Sequence, residues 1–564
     1  MIQFDEEKEA ESLRAFRKRE EEDLASTLAE HHGLPYLDLS VQPIDIDSLR
    51  IIKEADARSA DMAVFNATDK NIDVAVLSPQ NTKTISAIED LKGSGYNPTL
   101  YMVSKQSLER VWNRYKDLSY SFETKSGALD ISNEQIIEMT KKVTSLEDVK
   151  KLVEEVLHMK RSYRISRILE IILAGSIALK ASDVHLEPAD ENVRLRYRLD
   201  GVLTDILNFD KETYELLLSR VKLISELKLN VKEKAQDGRF SIKVAESEIE
   251  VRTSLLPGPY GESVVLRILN PDAISVELES LGIHPRLLEI LMHEVRKPNG
   301  MVLTTGPTGS GKTTTLYAFL KKVYSPDIKV ITIENPIEYH LAGIVQTQTD
   351  TEKGYTFAEG LRSALRQDPD VIMVGEIRDA ETAGVAVNAA LTGHLVLSTL
   401  HTNNAAGSFP RLLDLGVNSK VISSAINVTI AQRLVRKLCN SCKKEVLLAG
   451  KEKEVVDRVV NGIQDKSYLE NIQTEKAWQP FDKAQGKPGC PECSGLGYKG
   501  RTGVYEAILV DGAIEKAVIM NPSERDIREA AGAQHLLSLV EDGVIKILQG
   551  ITSYEELDRV VDIS

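Results

Sequence analysis

The sequence predicts a multidomain α/β protein, and three observations carry that prediction. A glycine-rich loop stands between an apolar run and a helical pattern at residues 301–320. Short apolar runs recur at 301–305, 329–333, 371–375, 395–400 and 504–508 with helical stretches between them, the pattern of an α/β core sheet. Two C-x2-C pairs account for all 4 cysteines.

The loop is Gly306-Pro307-Thr308-Gly309-Ser310-Gly311-Lys312-Thr313, which satisfies the phosphate-loop pattern G-x-x-x-x-G-K-[ST] at every fixed position. Met301-Val302-Leu303 ahead of it reads as a buried strand, and Thr314 to Leu320 behind it as the first turns of a helix. The glycines let backbone N–H groups curl around a polyphosphate, and the helix N-terminus adds partial positive charge. Lys312 can reach the β- and γ-phosphates, and the Thr313 hydroxyl can hold Mg2+. Residues Gly306 through Thr314 therefore form the nucleotide-binding stretch, and a chance match in a loop lacks this strand-and-helix context.

At 564 residues the chain has room for three or four domains. Lys and Arg number 70 against 85 Asp and Glu, a net charge of −15, which argues against wholesale attraction to nucleic acid or anionic lipid. The most apolar stretch, Ile168 to Leu179, is shorter than the roughly 20 residues of a membrane span and carries Glu170. The N-terminus is acidic and has no signal-peptide core. A cytoplasmic protein follows, reaching a membrane only through partners.

In chain order, Glu6 to about Glu30 reads as a charged amphipathic helix or two, with Leu13, Phe16, Leu24 and Leu28 near helical spacing. Strands are expected at Met62–Phe65 and Ile72–Leu77, within a small α/β module at 1–118, and 119–160 reads as a linker. A helix through Ile165 to Leu179 opens a helix-flanked antiparallel sheet module at 161–272, with strands at 193–199, 239–244, 249–254 and 263–269. Arg194, Arg196, Arg198, Arg239, Arg252 and Arg267 would all stand on its strands; salt-bridged surface is the plain reading for any one of them. The α/β core occupies 280–564, and charged Lys451–Lys487 reads as an excursion from it.

Three further stretches carry chemistry. Ile331 to Tyr339 brings Glu334 and Glu338 to the end of a strand, where either can orient an attacking water. Val371-Ile372-Met373-Val374-Gly375-Glu376 has the shape of a Walker B strand, with Glu376 as the acid on Mg2+. Leu391 to Thr402 puts His394 and His401 at the two ends of one apolar strand, where an imidazole can donate to the γ-phosphate or relay its presence. Cys439, Cys442, Cys490 and Cys493 supply four thiolates, enough for one structural Zn2+ in a subdomain at 437–500. Reduced unliganded thiols, then a redox pair, are the alternatives.

Together with Ala181-Ser182-Asp183-Val184-His185, Gln236-Asp237-Gly238-Arg239, Tyr260-Gly261-Glu262 and Arg366 through Asp379, these stretches make the chain resemble the type IV pilus assembly and type II secretion ATPase family, the PilB/GspE class. The resemblance covers about 165–564 and implies a homohexameric ring, with ATP between a RecA-like domain and the PAS-like sheet domain of a neighbour. It implies that Arg252 and Arg267 reach phosphates across that interface with Arg239 nearby, that Glu338 positions the water, and that Glu376 is the Walker B acid. His32 to Leu39 resembles the family's N-terminal domain, which docks on membrane-bound components.

Two departures stand out. Asn335 replaces the Asp usual in the acidic box, which predicts slower hydrolysis, and the N-terminal module lacks the Arg-Leu-Gly-x-x-Leu mark of cyclic-di-GMP binding, so that ligand is not expected. The reading that follows is a hexameric ATPase, using ATP, Mg2+ and structural Zn2+, that drives extension of a type IV pilus or pseudopilus through an inner-membrane platform protein. A type II secretion ATPase is the near alternative and a DNA-uptake pseudopilus ATPase the third. A nucleotide-gated scaffold with negligible hydrolysis and a nucleic-acid translocase are the outside readings; direct nucleic-acid binding is not expected.

Overall fold

A computed structural model describes residues 20–563 apart from 40, 41, 43, 46, 69, 118–121, 124–128, 131–138, 141, 158–160, 245, 246, 271–275 and 481–489. The first half of the expected N-terminal helix, with Leu13 and Phe16, lies outside the described residues, as does much of 119–138. Two compact units emerge, Met1–Ser121 with Val156–Ile168, and Phe122–Glu155 with Leu169–Ser564.

In the first unit β1 (Met62–Thr68) pairs antiparallel with β2 (Asn71–Val76), and β3 (Asn97–Met102) joins β2 in parallel after the helix Thr82–Gly93. Side chains alternate along β1, so Ala63 and Phe65 pack under Leu108, Val111 and Trp112 while Met62 and Val64 face Ile88 and Leu91. Burial on both faces makes β1 an unbroken apolar run in the sequence; β3, half exposed and interrupted by Pro98, gives no such signal. The Trp112 indole N–H donates to Met62 O at 3.1 Å. Glu22, on helical residues 20–32, accepts from the Tyr36 and Ser104 hydroxyls, each at 2.7 Å.

The second unit holds two large sheets. One comprises β4 (Phe122–Glu123), β5 (Leu129–Asp130), β6 (Asp183–Pro188), β7 (Val193–Leu199), β8 (Val202–Phe209), β9 (Gln236–Val244), β10 (Ser247–Gly258) and β11 (Gly261–Leu269), in the order β4-β5-β9-β10-β11-β6-β7-β8. β4 and β5 come from the stretch read as a linker, which also carries the helix Leu146–Leu157. Along β7, Val193, Leu195 and Tyr197 turn inward and the intervening arginines outward. Tyr197 donates its hydroxyl to Ile172 O at 2.5 Å, tying the sheet to its covering helix, Arg161–Ala178. Arg194 and Arg196 pair with Glu187, and Arg198 with Asp183, so for these three the plain salt-bridge reading is correct.

The other sheet is RecA-like: β12 (Gly300–Thr305), β13 (Val330–Glu334), β14 (Val345–Gln348), β15 (Val371–Val374), β16 (Leu395–Leu400), β17 (Ile426–Leu438) and β20 (Tyr498–Leu509), in the order β14-β13-β15-β16-β12-β17-β20. The first six run parallel and β20 closes one edge antiparallel. Every residue of β12, β13, β15 and β16 is buried, the signature of parallel strands covered on both faces. β14 is an exposed edge strand and β17 mixes polar with apolar positions, so neither stands out in the sequence.

Between the cysteine pairs, β18 (Lys444–Leu447) and β19 (Lys476–Gln479) pair antiparallel, with the helix Gly450–Gly462 in the connection between them. Lys451–Lys487 is therefore no excursion over its described part: Val455, Val456 and Ala477 are buried in the main core. That helix buries one narrow stripe under a highly charged exterior, which hides its periodicity. No helix of the described residues is long and apolar enough to cross a membrane.

Candidate active site

Parallel strands bring their carboxyl ends to one edge, and the order of this sheet sets the loops after β13, β15, β16, β12 and β17 side by side. The phosphate loop leaves β12 there. Its glycines are required by contact as much as by backbone angle: at Gly306, with φ of 150°, a Cβ would lie 2.6 Å from Gln432 O and 2.9 Å from Arg433 Nη1. At Gly311, with φ of 87°, it would meet Gln432 Nε2 at 2.8 Å. β17 thus forms the floor of the loop. Thr315, one turn into the helix Lys312–Val323, donates to Gln432 Oε1 at 2.8 Å and anchors that floor.

Lys312 folds back, with Nζ donating to Gly306 O at 2.8 Å and Pro307 O at 3.1 Å. Burial pushes its pKa down to about 8; the Glu376 charge opposes this and the Arg433 charge adds to it. Ser310 Oγ is buried without a hydrogen-bond partner beside it. Both groups are cradle atoms that a polyphosphate would satisfy. Thr313 and Thr314 stand half exposed on the first helical turn.

Glu376 follows β15, where Gly375 N donates to Ile333 O at 2.8 Å and Gly375 O accepts from Thr399 Oγ1 at 2.9 Å. Its carboxylate meets Arg378 Nε at 2.6 Å and His401 Nε2 at 3.4 Å. The edge therefore gathers Lys312, Glu376 and His401. His394 is left out. It precedes β16, pairs its Nδ1 with Ala389 O at 3.1 Å, and its carbonyl accepts from Gly300 N at the opposite end of β12. Six strand residues, about 20 Å, separate the two histidines, so His394 does not share the site expected of it.

The two glutamates near β13 also separate. Glu334 is buried, accepting from the Tyr317 hydroxyl, from Thr332 Oγ1 at 2.5 Å and from Gln346 Nε2 at 3.1 Å. Those donors occupy it in holding the fold. Glu338 instead faces a cleft of about 1050 Å³. Dehydration among the cleft walls holds its carboxyl above the ordinary range; Glu334 pushes the same way and Arg252 and Arg267 oppose it.

Those arginines belong to a row. Strand register sets Arg252 directly opposite Arg239 on one side and Arg267 on the other. Like charges directly opposed destabilise a sheet, and the row faces the cleft of Glu338. Glu250 accepts from Arg252 Nε at 2.9 Å, Asp183 from Arg267 Nε at 3.0 Å, and Ile337 O from Arg252 Nη2 at 3.2 Å. The structure brings the row to Glu338 within one chain, where the sequence reading has it serving a neighbour. Gln432 and Arg433 were not among the residues singled out from the sequence; the only local signal is a polar Gln-Arg pair between Ile430-Ala431 and Leu434-Val435, in a strand that carries other polar positions as well.

The four cysteines converge, every pair of sulfurs lying within 4.8 Å. Cys439 and Cys490 are 3.9 Å apart, Cys442 and Cys493 3.8 Å. A tetrahedron with Zn–S bonds of about 2.3 Å has edges of about 3.8 Å, whereas a disulfide needs about 2.05 Å. Gly497 N donates to Cys493 Sγ at 3.2 Å, the partner a thiolate takes. This donor set fits one zinc ion.

A phosphate loop, an acid at the end of a neighbouring strand and a RecA-like sheet define the class of phosphate-loop nucleotide hydrolases. Comparison with known proteins narrows it. The family model described as type II/IV secretion system protein matches residues 159–559, and the MshEN domain model matches 32–121. The chain belongs to the type II/IV secretion system protein family, and it is an ATPase. It is 37% identical over 529 residues, 93% of this chain and 99% of the other, to type II secretion system protein E of Dickeya dadantii. It is 42% identical over 396 residues, 70% and 75% of the two chains, to the protein of the same name in Aeromonas hydrophila. The X-ray structure of the ATPase DotB of Legionella pneumophila, 21% identical, superposes over 71% of this chain and 97% of its own with a TM-score of 0.50, which shows the fold.

Proposed function

We propose that this protein is the cytoplasmic motor of a type II secretion system or type IV pilus, hydrolysing ATP as a homohexamer and passing the resulting motion to an inner-membrane platform protein. The observation that carries the reading is the grouping of Lys312, Glu376 and His401 at the sheet edge; a second grouping sets Glu338 in the cleft lined by Arg239, Arg252 and Arg267. Lys312 would release the loop carbonyls to take the β- and γ-phosphates. Glu338, deprotonated, would orient the attacking water, and the arginines would take up the charge that grows on the γ-phosphoryl oxygens. Thr313 and Glu376 would hold Mg2+, which when bound neutralises phosphate charge. The four cysteines would hold structural Zn2+, and the N-terminal module would dock on the membrane assembly.

Between the two systems, the relatives favour secretion: the one matched along nearly its whole length carries that name. Pilus extension is the second reading. Deleting the gene in its host separates them, since a secretion motor is expected to leave exported enzymes inside the cells with pili intact, and a pilus motor the reverse. Steady-state turnover of the purified protein indistinguishable from that of Lys312→Ala would sink the motor and leave a nucleotide-gated scaffold.

A further inference from the structure

Arg433 lies against the phosphate loop and has no part in the roles assigned above. The parallel register that sets Thr305 opposite Ala431 carries Gln432 and Arg433 alongside Gly306. The side chain is half-buried, and its two terminal nitrogens bridge β17 to the loop after β16: Nη1 donates to the carbonyl of the preceding residue, Gln432 O, at 3.0 Å, on the floor of the phosphate loop, and Nη2 crosses to Asn403 O at 2.6 Å.

Asn403 is two residues beyond His401. The segment carrying that histidine is otherwise tied to the phosphate-loop strand at Thr402, whose N–H donates to Thr305 Oγ1 at 2.9 Å while the two threonine hydroxyls meet at 2.6 Å. Its far end is held by Glu506, which accepts from Ala405 N at 2.8 Å, and by Glu524, which accepts from Asn404 Nδ2 at 2.6 Å. Arg433 supplies the tie between those two anchorages, where the chain turns away from the nucleotide edge. Its charge is also felt by Lys312, so two cations share the loop, and phosphate would relieve their repulsion.

We infer that Arg433 is a positioning residue for hydrolysis: its planar fork staples the loop bearing His401 to the floor of the phosphate loop and so fixes the distance between the histidine and the bound phosphates. A lysine can keep the charge but cannot reach both carbonyls in one plane. The inference rests on the reading that His401 donates to the γ-phosphate or relays its presence, and assigns that histidine a partner.

The test measures kcat and KM for ATP, and the affinity for a fluorescent ATP analogue, in the full-length protein as wild type and as Arg433→Lys, Arg433→Ala, His401→Ala and the double variant Arg433→Lys with His401→Ala. Thermal melting and zinc content check each for folding. Arg433→Lys is expected to lower kcat about 10-fold or more with analogue affinity within about 3-fold, since misplacement by about 1 Å costs up to about 10²-fold. The double variant is expected to be no slower than the slower single variant, because both remove one contact. If His401→Ala is slow while Arg433→Lys turns over normally, the staple is wrong and the histidine's role stands. If the two losses multiply, Arg433 acts independently of His401 and the inference fails. If His401→Ala turns over normally, both fail. Should Arg433→Ala not fold, Arg433→Lys decides alone.

Discussion

Glu376 and His401 face each other at 3.4 Å from the carboxyl ends of adjacent parallel strands, though residues 375–394, a whole helix among them, separate those strands in the sequence. The pair sits within electrostatic reach of Lys312, so under the proposed function a change of charge on the nucleotide would act on an acid, an imidazole and a lysine together. Glu376→Gln is expected to lower kcat by about 100-fold or more while leaving metal-free nucleotide affinity nearly unchanged. His401→Ala should lower it less, by about 10- to 100-fold, and His394→Ala should leave turnover within about 2-fold. Stopped-time phosphate release on the three variants checks this order, and an equal loss in the two histidine variants would contradict the placement of His394 away from the site.

The pH dependence of turnover should report Glu338. Its folded-state pKa is raised, so the carboxylate an oriented water needs is lost at higher pH than for an ordinary glutamate as the solution is acidified. The acid limb of kcat should therefore lie above the usual carboxylate range and vanish in Glu338→Gln, with kcat down by about 10²- to 10⁴-fold. The sign for stability is opposite. A raised carboxyl pKa favours the fold below the unfolded-state value and the benefit is lost as pH rises through the folded one, so Glu338→Gln should melt no lower than wild type at pH 8.

Nucleotide binding should take up protons near pH 8. Lys312 in the nucleotide-free loop has a pKa of about 8, and phosphate contact favours its charged form. Above that pH the free loop holds a neutral amine and must gain a proton on binding. Titration calorimetry in buffers of differing ionisation enthalpy should show uptake that grows from pH 7 to pH 9 and is absent in Lys312→Met. The lowered pKa also means that the empty loop gains stability as pH rises through 8, since the unfolded lysine binds the proton more tightly.

Removing zinc should unfold the region around residues 437–500. Four thiolates in tetrahedral arrangement bind with about 10 kcal/mol or more, and they connect β17 to β20 through Cys439 and Cys493. Elemental analysis should find one zinc per chain. Cys442→Ser should reduce that content sharply and lower the melting temperature by many degrees, and full retention of zinc by the variant would rule out the tetrathiolate.

Glu334→Ala should cost stability before it costs chemistry. The carboxylate satisfies Tyr317, Thr332 and Gln346 inside the core, and leaving such donors unpaired costs about 1–3 kcal/mol each. A clear fall in the denaturation midpoint, with nucleotide analogue still bound, is the expected result.

Much of this was written locally. The phosphate loop needs only a strand, glycines and a helix start in sequence, and buried parallel strands announce themselves as short apolar runs because both of their faces are covered. The cysteine pairs are legible for the same reason, since each pair spans a single turn. Edge strand β14, half-exposed β3 and polar-threaded β17 were invisible, because an exposed or mixed strand has no period that distinguishes it from a loop.

Sequence by itself determined the chemistry on offer: a cradle for a triphosphate, acids and histidines at strand ends, arginines on a sheet and four thiolates. Tertiary structure decided which of them meet. Both histidines bracket one strand, and only the parallel direction of β16 relative to β12 puts His401 at the phosphate loop and His394 about 20 Å away. Glu334 and Glu338 are four residues apart, yet the core's donors take one and the arginine cleft faces the other. Strand register lined up Arg239, Arg252 and Arg267, and the neighbour of β12 across the sheet brought in Arg433. Direction, register and burial are long-range quantities, fixed by which surfaces pack together, and a local reading of residues cannot contain them.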